Sequence, residues 1–325
     1  MFIEIHSEAV RFTGRWKKYE HMAVTTAPGS MVEFAFAGKS AVMHFDMATN
    51  RHPYGHLWVW VDDGAKVEVP MERFLRVTAA EDGNHVVHVV YKSATEIHHR
   101  WYQPLEGKVS FLGFDAEGEG VLPKDERKTI EFIGDSITEG VLVDAFYHPE
   151  AFDQWNRPWQ DDSMATYAWL TAEKLGLRPI IMGYGAVGVT RGGCGSVPKA
   201  AEAYPFCYAG EPMESANADY IVINHGANDR GSTAEVYVRE YIDLIRLVRA
   251  RNKEAVIISL SAFCGVYPGE LEQAIMEYNR ESGDQVYFID STGWIPAEPL
   301  HPLRDGHEIV SDRLSERLKE LWKKF

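Results

Sequence analysis

The sequence is poor in cysteine. Cys194, Cys207 and Cys264 are the only three, they show no C-x-x-C spacing, and they argue against both a disulfide framework and a zinc site. No uninterrupted apolar run approaches the roughly 20 residues of a membrane span. The opening stretch, MFIEIHSEAVRFTGRW, carries charge from its fourth residue and never forms the apolar core of a signal peptide, so the sequence as it stands reads as cytoplasmic. There is no internal repeat, no low-complexity tract and no Lys/Arg cluster. Lys and Arg total 33 against 48 Asp and Glu, a net charge of -15, and such a surface repels nucleic acid and anionic membrane. It suits a small neutral substrate better than a polyanion, and it leaves a homo-oligomer open.

What is present is an ordinary globular composition, 45% hydrophobic and 25% charged, in a 325-residue chain long enough for two domains. Its two halves have different periodicities. From about residue 20 to 115 short alternating runs predict strands at Met31 to Phe36, Ala41 to Met47, Leu57 to Val61, Lys66 to Val69, His85 to Tyr91 and Val109 to Phe114. Turn signals such as Pro28-Gly29, Asp62-Asp63-Gly64 and Asp82-Gly83-Asn84 separate them, which predicts an antiparallel β-sandwich or jelly roll over residues 1–120. The largely polar stretch Asp115 to Arg127 is the expected linker. From 128 to 325 strands alternate with amphipathic helices. Strands are expected at Thr129 to Ile133, Pro179 to Met182, Tyr220 to Asn224, Ala255 to Leu260 and Val286 to Ile289. Helices are expected at Ser163 to Leu175, Ala234 to Arg251, Glu270 to Glu281 and from Asp305 onward, the pattern of an α/β domain with a parallel sheet.

One segment places a hydroxyl where α/β proteins do chemistry. In I-E-F-I-G-D-S-I-T-E-G a strand runs directly into Gly134-Asp135-Ser136 at its carboxyl end, where active sites of open α/β sheets gather. A nucleophilic serine there also offers its own N–H to an oxyanion. A purely structural alternative exists: Ser136 caps a helix and Glu139 completes a capping box.

Three further segments follow in order: M-G-Y-G-A-V-G-V-T-R-G-G after the second strand, N-H-G-A-N-D-R after the third, and E-P-L-H-P-L-R-D-G-H before the last helix. Together the four resemble the conserved blocks of the SGNH/GDSL hydrolase superfamily. The resemblance covers roughly residues 128 to 325 and implies a flavodoxin-like α/β/α fold. It implies Ser136 as nucleophile, His301 as general base, and an oxyanion hole of the Ser136 and Gly188 N–H groups with the Asn228 amide. Gly183 and Gly185 lie in the same loop as Gly188 and compete with it. His307, at the start of the last helix, reads as structural. His225, beside Asn224, either lines the pocket or packs behind it. The superfamily usually places Asp three residues before the catalytic histidine, whereas here that position holds Glu298. A Ser136-His301-Glu298 triad and a Ser136-His301 dyad both stand at this point.

The first half, with R-F-T-G-R-W and then P-G-S-M-V-E-F-A-F-A-G-K-S ahead of the catalytic blocks, extends the likeness. A jelly roll followed by an SGNH domain is similar to carbohydrate esterase family 2, which implies removal of O-acetyl groups from sugars or oligosaccharides without metal or organic cofactor. Aromatic residues agree with a sugar. Phe146, Tyr147, Phe152, Trp155 and Trp159 follow the nucleophile strand and Trp294 precedes the histidine loop, and flat rings suit the C–H faces of a pyranose. Trp155, Trp159 and Trp294 are the named substrate candidates, with interdomain packing as their alternative role. Two other functions remain open: an esterase, lipase or thioesterase for another short acyl group, and a carbohydrate-binding protein with an inactive esterase domain.

Overall fold

The computed structural model describes residues 1–96, 98–145, 157–295 and 299–323. Its first part is a nine-stranded antiparallel sheet: β1 (Phe2–Glu4), β2 (Val10–Thr13), β3 (Lys17–Lys18), β4 (Ala23–Thr25), β5 (Met31–Phe45), β6 (His56–Val61), β7 (Val67–Pro70), β8 (Phe74–Ser93) and β9 (Val109–Glu119). Its order is β3-β4-β9-β5-β8-β6-β7, with β1 added to β9 and β2 to β5. The inward residues, among them Val32, Phe34, Phe36, Met43, Val87, Val89, Phe111 and Phe114, form their own core.

Two expectations change here. The run Met31 to Phe36 and the second run as far as Phe45 belong to the single strand β5, and Asp82-Gly83-Asn84 lies inside β8 and makes no turn. Gly38 pairs with Gly83 and the register shifts between Gly38 and Ser40. Gly38 has φ +115, so two glycines and a bulge bend both strands without breaking their ladder. The expected linker is also shorter, because Asp115 to Glu119 still belongs to β9.

The second part carries the five-stranded parallel sheet β11-β10-β14-β15-β16, made of β10 (Thr129–Gly134), β11 (Arg178–Gly183), β14 (Tyr220–Asn224), β15 (Val256–Leu260) and β16 (Val286–Ile289); the small hairpin β12 (Phe206–Tyr208) and β13 (Glu211–Pro212) stands apart. Residues of β10 are buried throughout, as in a strand covered on both faces. Among the described residues seven α-helices accompany the sheet: α1 (Ser136–Glu139), α2 (Arg157–Gln160), α3 (Tyr167–Lys174), α4 (Ala200–Ala203), α5 (Ala234–Arg251), α6 (Pro268–Ser282) and α7 (Arg304–Trp322). Alternation along the strands sorts the layers. Ile221 and Ile223 pack with Tyr241, Leu244 and Val248 of α5 and Leu271 and Ile275 of α6. Val222 packs with Tyr167 and Ala168 of α3 and Val310, Leu314 and Leu318 of α7 on the opposite face.

The expected helix from Ser163 is interrupted. A 3-10 turn at Ser163–Ala165 ends at Thr166, whose hydroxyl accepts the Trp169 N–H at 3.2 Å and caps α3. With the order 2-1-3-4-5, the crevice between the first and third strands is where the connections diverge, so the ends of β10 and β14 bound the natural ligand site.

Candidate active site

Ser136 enters this crevice as the first residue of α1. Asp135, not Ser136, is the cap: its Oδ1 accepts the Ile137 N–H at 3.0 Å. Glu139 makes no capping box and instead forms a buried ion pair with Arg100 of the first domain. The serine hydroxyl is thereby left for other work. Its N–H, at a helix's first turn, belongs to the group that has no acceptor within the helix.

His301 supplies the partner. Its Nε2 lies 3.0 Å from Ser136 Oγ, within range for proton transfer, although 165 residues separate the two in sequence. Burial lowers the proton affinity of the imidazole, Glu96 raises it and Arg157 lowers it. A base held neutral near physiological pH results.

Asn228 follows β14 and faces the same crevice. Its amide donates to the Val187 carbonyl at 3.1 Å and to Asp135 Oδ2 at 3.3 Å. The longer bond is the weaker one and the easier to exchange for a developing oxyanion. Burial pushes the Asp135 carboxyl up to about 7, its bond to the Ile137 N–H opposes this, and the nearby Asp229 adds to it.

Gly188 differs from expectation. Its N–H donates to the Arg191 carbonyl at 2.9 Å, and a Cβ on it would meet Asp229 Oδ1 at 2.4 Å. Asp229 also accepts the Val189 and Thr190 N–H groups, so this glycine is required for the close approach that lets one carboxylate clamp the loop. At rest the Gly188 N–H is committed within its loop, the Asn228 amide bonds Val187 and Asp135, and the Ser136 N–H lies in the first turn of α1.

His225 does not line the pocket. It is 1% exposed, and burial lowers its pKa to about 4. His307, fully buried, accepts the Tyr167 N–H on Nδ1 at 3.0 Å and is held neutral by burial, with a pKa of about 3, which is a structural task. Trp159 is 42% exposed and meets His56 of the first domain edge-on at 4.3 Å. Trp294 is half-buried and packs against the core beneath α7. Phe146, Tyr147, Phe152, Trp155 and Glu298 lie outside the described residues. Among the described residues no group of three His, Cys, Asp or Glu side chains is arranged to hold a metal, and no helix is long and apolar enough to cross a membrane.

Some residues around the site carried no signal in the sequence. Asp135 and Asp229 stand inside the recognised segments, but the reading of those segments gave them no role. Arg100 and Glu96 come from the connection after β8, and nothing in a β-rich half marks them as neighbours of a serine in the other half.

The chain is similar to known proteins in sequence and in fold. A cellulase/esterase, CelE, of Acetivibrio thermocellus is 29% identical over 241 residues, 66% of this chain, and the match spans only 28% of that protein's length. A family two carbohydrate esterase from Clostridium thermocellum in complex with cellohexaose has the same fold, with a TM-score of 0.77 at 23% identity over 97% of this chain and 100% of the other. An acetyl xylan esterase from the rumen bacterium Butyrivibrio proteoclasticus superposes with a TM-score of 0.78 at 22% identity over 100% of both chains. The match to the GDSL-like Lipase/Acylhydrolase family runs over residues 132–309, a span that includes Ser136, Gly188, Asn228 and His301, and the chain belongs to that family.

Proposed function

We propose that this protein is a serine esterase that removes O-acetyl groups from acetylated sugars or oligosaccharides. The observation that carries the chemistry is the 3.0 Å approach of His301 Nε2 to Ser136 Oγ at the head of α1. His301 takes the hydroxyl proton as Oγ attacks the acetyl carbonyl carbon. The Ser136 N–H and the Asn228 amide receive the developing oxyanion. Collapse expels the sugar alkoxide, which takes the proton back from His301, and leaves acetyl-Ser136. Water, deprotonated by the same imidazole, then releases acetate. Glu298, three residues before the base, is the proposed orienting acid.

The two-domain likeness to carbohydrate esterases across nearly the whole chain supports a sugar as the alcohol. The three free cysteines, of which Cys264 is exposed, suit a reducing compartment and support the proposed cytoplasmic location. The test is a panel of esters that varies acyl length and alcohol separately. Acetyl esters of mono- and oligosaccharides are expected to turn over fastest. Faster turnover of octanoyl esters would favour the lipase reading, and sugar binding without any ester turnover would favour a binding protein.

A further inference from the structure

We propose that the ion pair between Glu96 and Arg157, one residue from each half of the chain, is the hydroxyl-binding element for the alcohol side of the substrate and selects a neutral polyol with adjacent hydroxyls. The inference rests on the esterase reading above and specifies its recognition chemistry.

Position comes first. Arg157 Nη1 lies 3.1 Å from Glu96 Oε2, with side-chain exposures of 14% and 22%, so the pair is ordered yet reachable. The Glu96 carboxylate rests on the loop after β11, where a Cβ on Gly185 would meet its Oε1 at 2.2 Å. Gly185 follows β11, and Asp161, which Arg157 touches, accepts the N–H of Leu142 just after α1, so the pair stands between the two segments that border the Ser136 crevice. The leaving alcohol must end in that crevice, beside His301 Nε2, to collect its proton, and in this proposal the pair stands on the alcohol side of it.

The chemistry then narrows the alcohol. A carboxylate accepts from hydroxyls and a guanidinium donates to them, and one Arg N–H group cannot fill about four carboxylate lone-pair sites. Each hydroxyl of a vicinal pair both donates and accepts, so a pyranose edge satisfies both ions at once. A phosphorylated alcohol would meet the Glu96 carboxylate, and a cationic one the Arg157 guanidinium. A lipid alcohol would desolvate two ions and return no hydrogen bond.

The pair is also held in place. Arg157 Nε lies 3.3 Å from Asp161 Oδ1, and that oxygen accepts the Leu142 N–H at 2.7 Å. Lys92 of β8, fully buried, donates to the Pro158 and Asp161 carbonyls at 2.8 Å each. A recognition element needs such fixed geometry, because ordering it on binding would consume affinity.

The test compares wild type, Glu96→Gln and Arg157→Lys on an acetylated monosaccharide and on an aryl acetate, with thermal melting of each protein as a check on folding. Glu96→Gln keeps the shape of the side chain. We expect it to lower kcat/KM on the sugar by about 10- to 100-fold through KM and to lower the sugar-to-aryl specificity ratio with it, with Arg157→Lys showing a smaller change in the same direction. A sugar esterase whose specificity ratio neither variant moves overturns the Glu96–Arg157 assignment alone. A wild type that cleaves aryl acetate but frees no acetate from any sugar overturns the esterase reading and this inference with it.

Discussion

At the residue scale, the role of Ser136 is decided by the residue before it. Once Asp135 takes the capping position, Ser136 no longer has to satisfy the backbone, and its hydroxyl meets His301 instead. The imidazole works only when neutral. Burial lowers its pKa, so the base is lost as pH falls only below the ordinary histidine value of about 6.5. The acidic limb of kcat/KM is therefore expected below pH ~6.5 and is expected to persist in Asp135→Asn, whose wild-type carboxyl titrates near 7. A limb above 6.5, or one that vanishes with Asp135, would assign the titration to the wrong group. Glu298→Gln tests the proposed acid, with an expected loss in kcat of about 10- to 10³-fold through a misoriented imidazole. Unchanged turnover would leave a Ser136-His301 dyad. The sequence showed these residues because each chemical group sits in a short segment with its own spacing. It did not show that the Gly188 N–H is spent on Arg191, because a loop's internal hydrogen bonds depend on where Asp229 arrives from a different strand.

At the element scale, α1 has four residues and cannot sustain itself as a helix. It is held by the Asp135 cap, by Gly140 in the left-handed conformation at its end, and by Arg100 on Glu139. Arg100 and Glu139 are almost wholly buried, so removing one partner strands a charge. Arg100→Met is expected to cost about 3–5 kcal/mol in denaturant unfolding, and adding Glu139→Leu to recover part of it. A loss under about 1 kcal/mol, typical of an exposed pair, would contradict the clamp. Periodicity revealed the long elements well. In α5 the buried Tyr237, Tyr241, Leu244, Ile245 and Val248 recur at helical spacing within the span expected from the sequence. It failed at β5 and β8, where glycine marks a bend inside a strand and composition alone reads it as a turn between strands.

At the scale of the whole molecule, the two parts share their interior. Val24, Ala27, Trp101 and Leu105 join the core over one face of the parallel sheet, and Met31 and Val90 join the core over the other. Arg15, 1% exposed, reaches across to Glu131 of β10 at 3.5 Å and to the Tyr204 and Phe206 carbonyls at 2.7 Å each. A fragment of residues 128–325 would lose these apolar partners and leave Glu131 and Glu139 without their arginines. It is expected to lack a cooperative thermal transition, and a fragment that melts cooperatively and stays active would show that the first domain is dispensable. The order of elements gave away both fold classes, since each class follows from local periodicity. The seam between them did not show, because it is built from single residues such as Arg15, Glu96 and Arg100 that become neighbours of the site only after both sheets have formed.

The most direct test of the account is acetate release from an acetylated oligosaccharide by wild type and by Ser136→Ala, with melting curves to show that both are folded. Wild type is expected to release acetate. The variant is expected to fall by several orders of magnitude, on the order of 10⁵- to 10⁶-fold in kcat, because no other hydroxyl stands 3.0 Å from His301 Nε2 among the described residues. A folded Ser136→Ala protein that releases acetate at a near wild-type rate would contradict it.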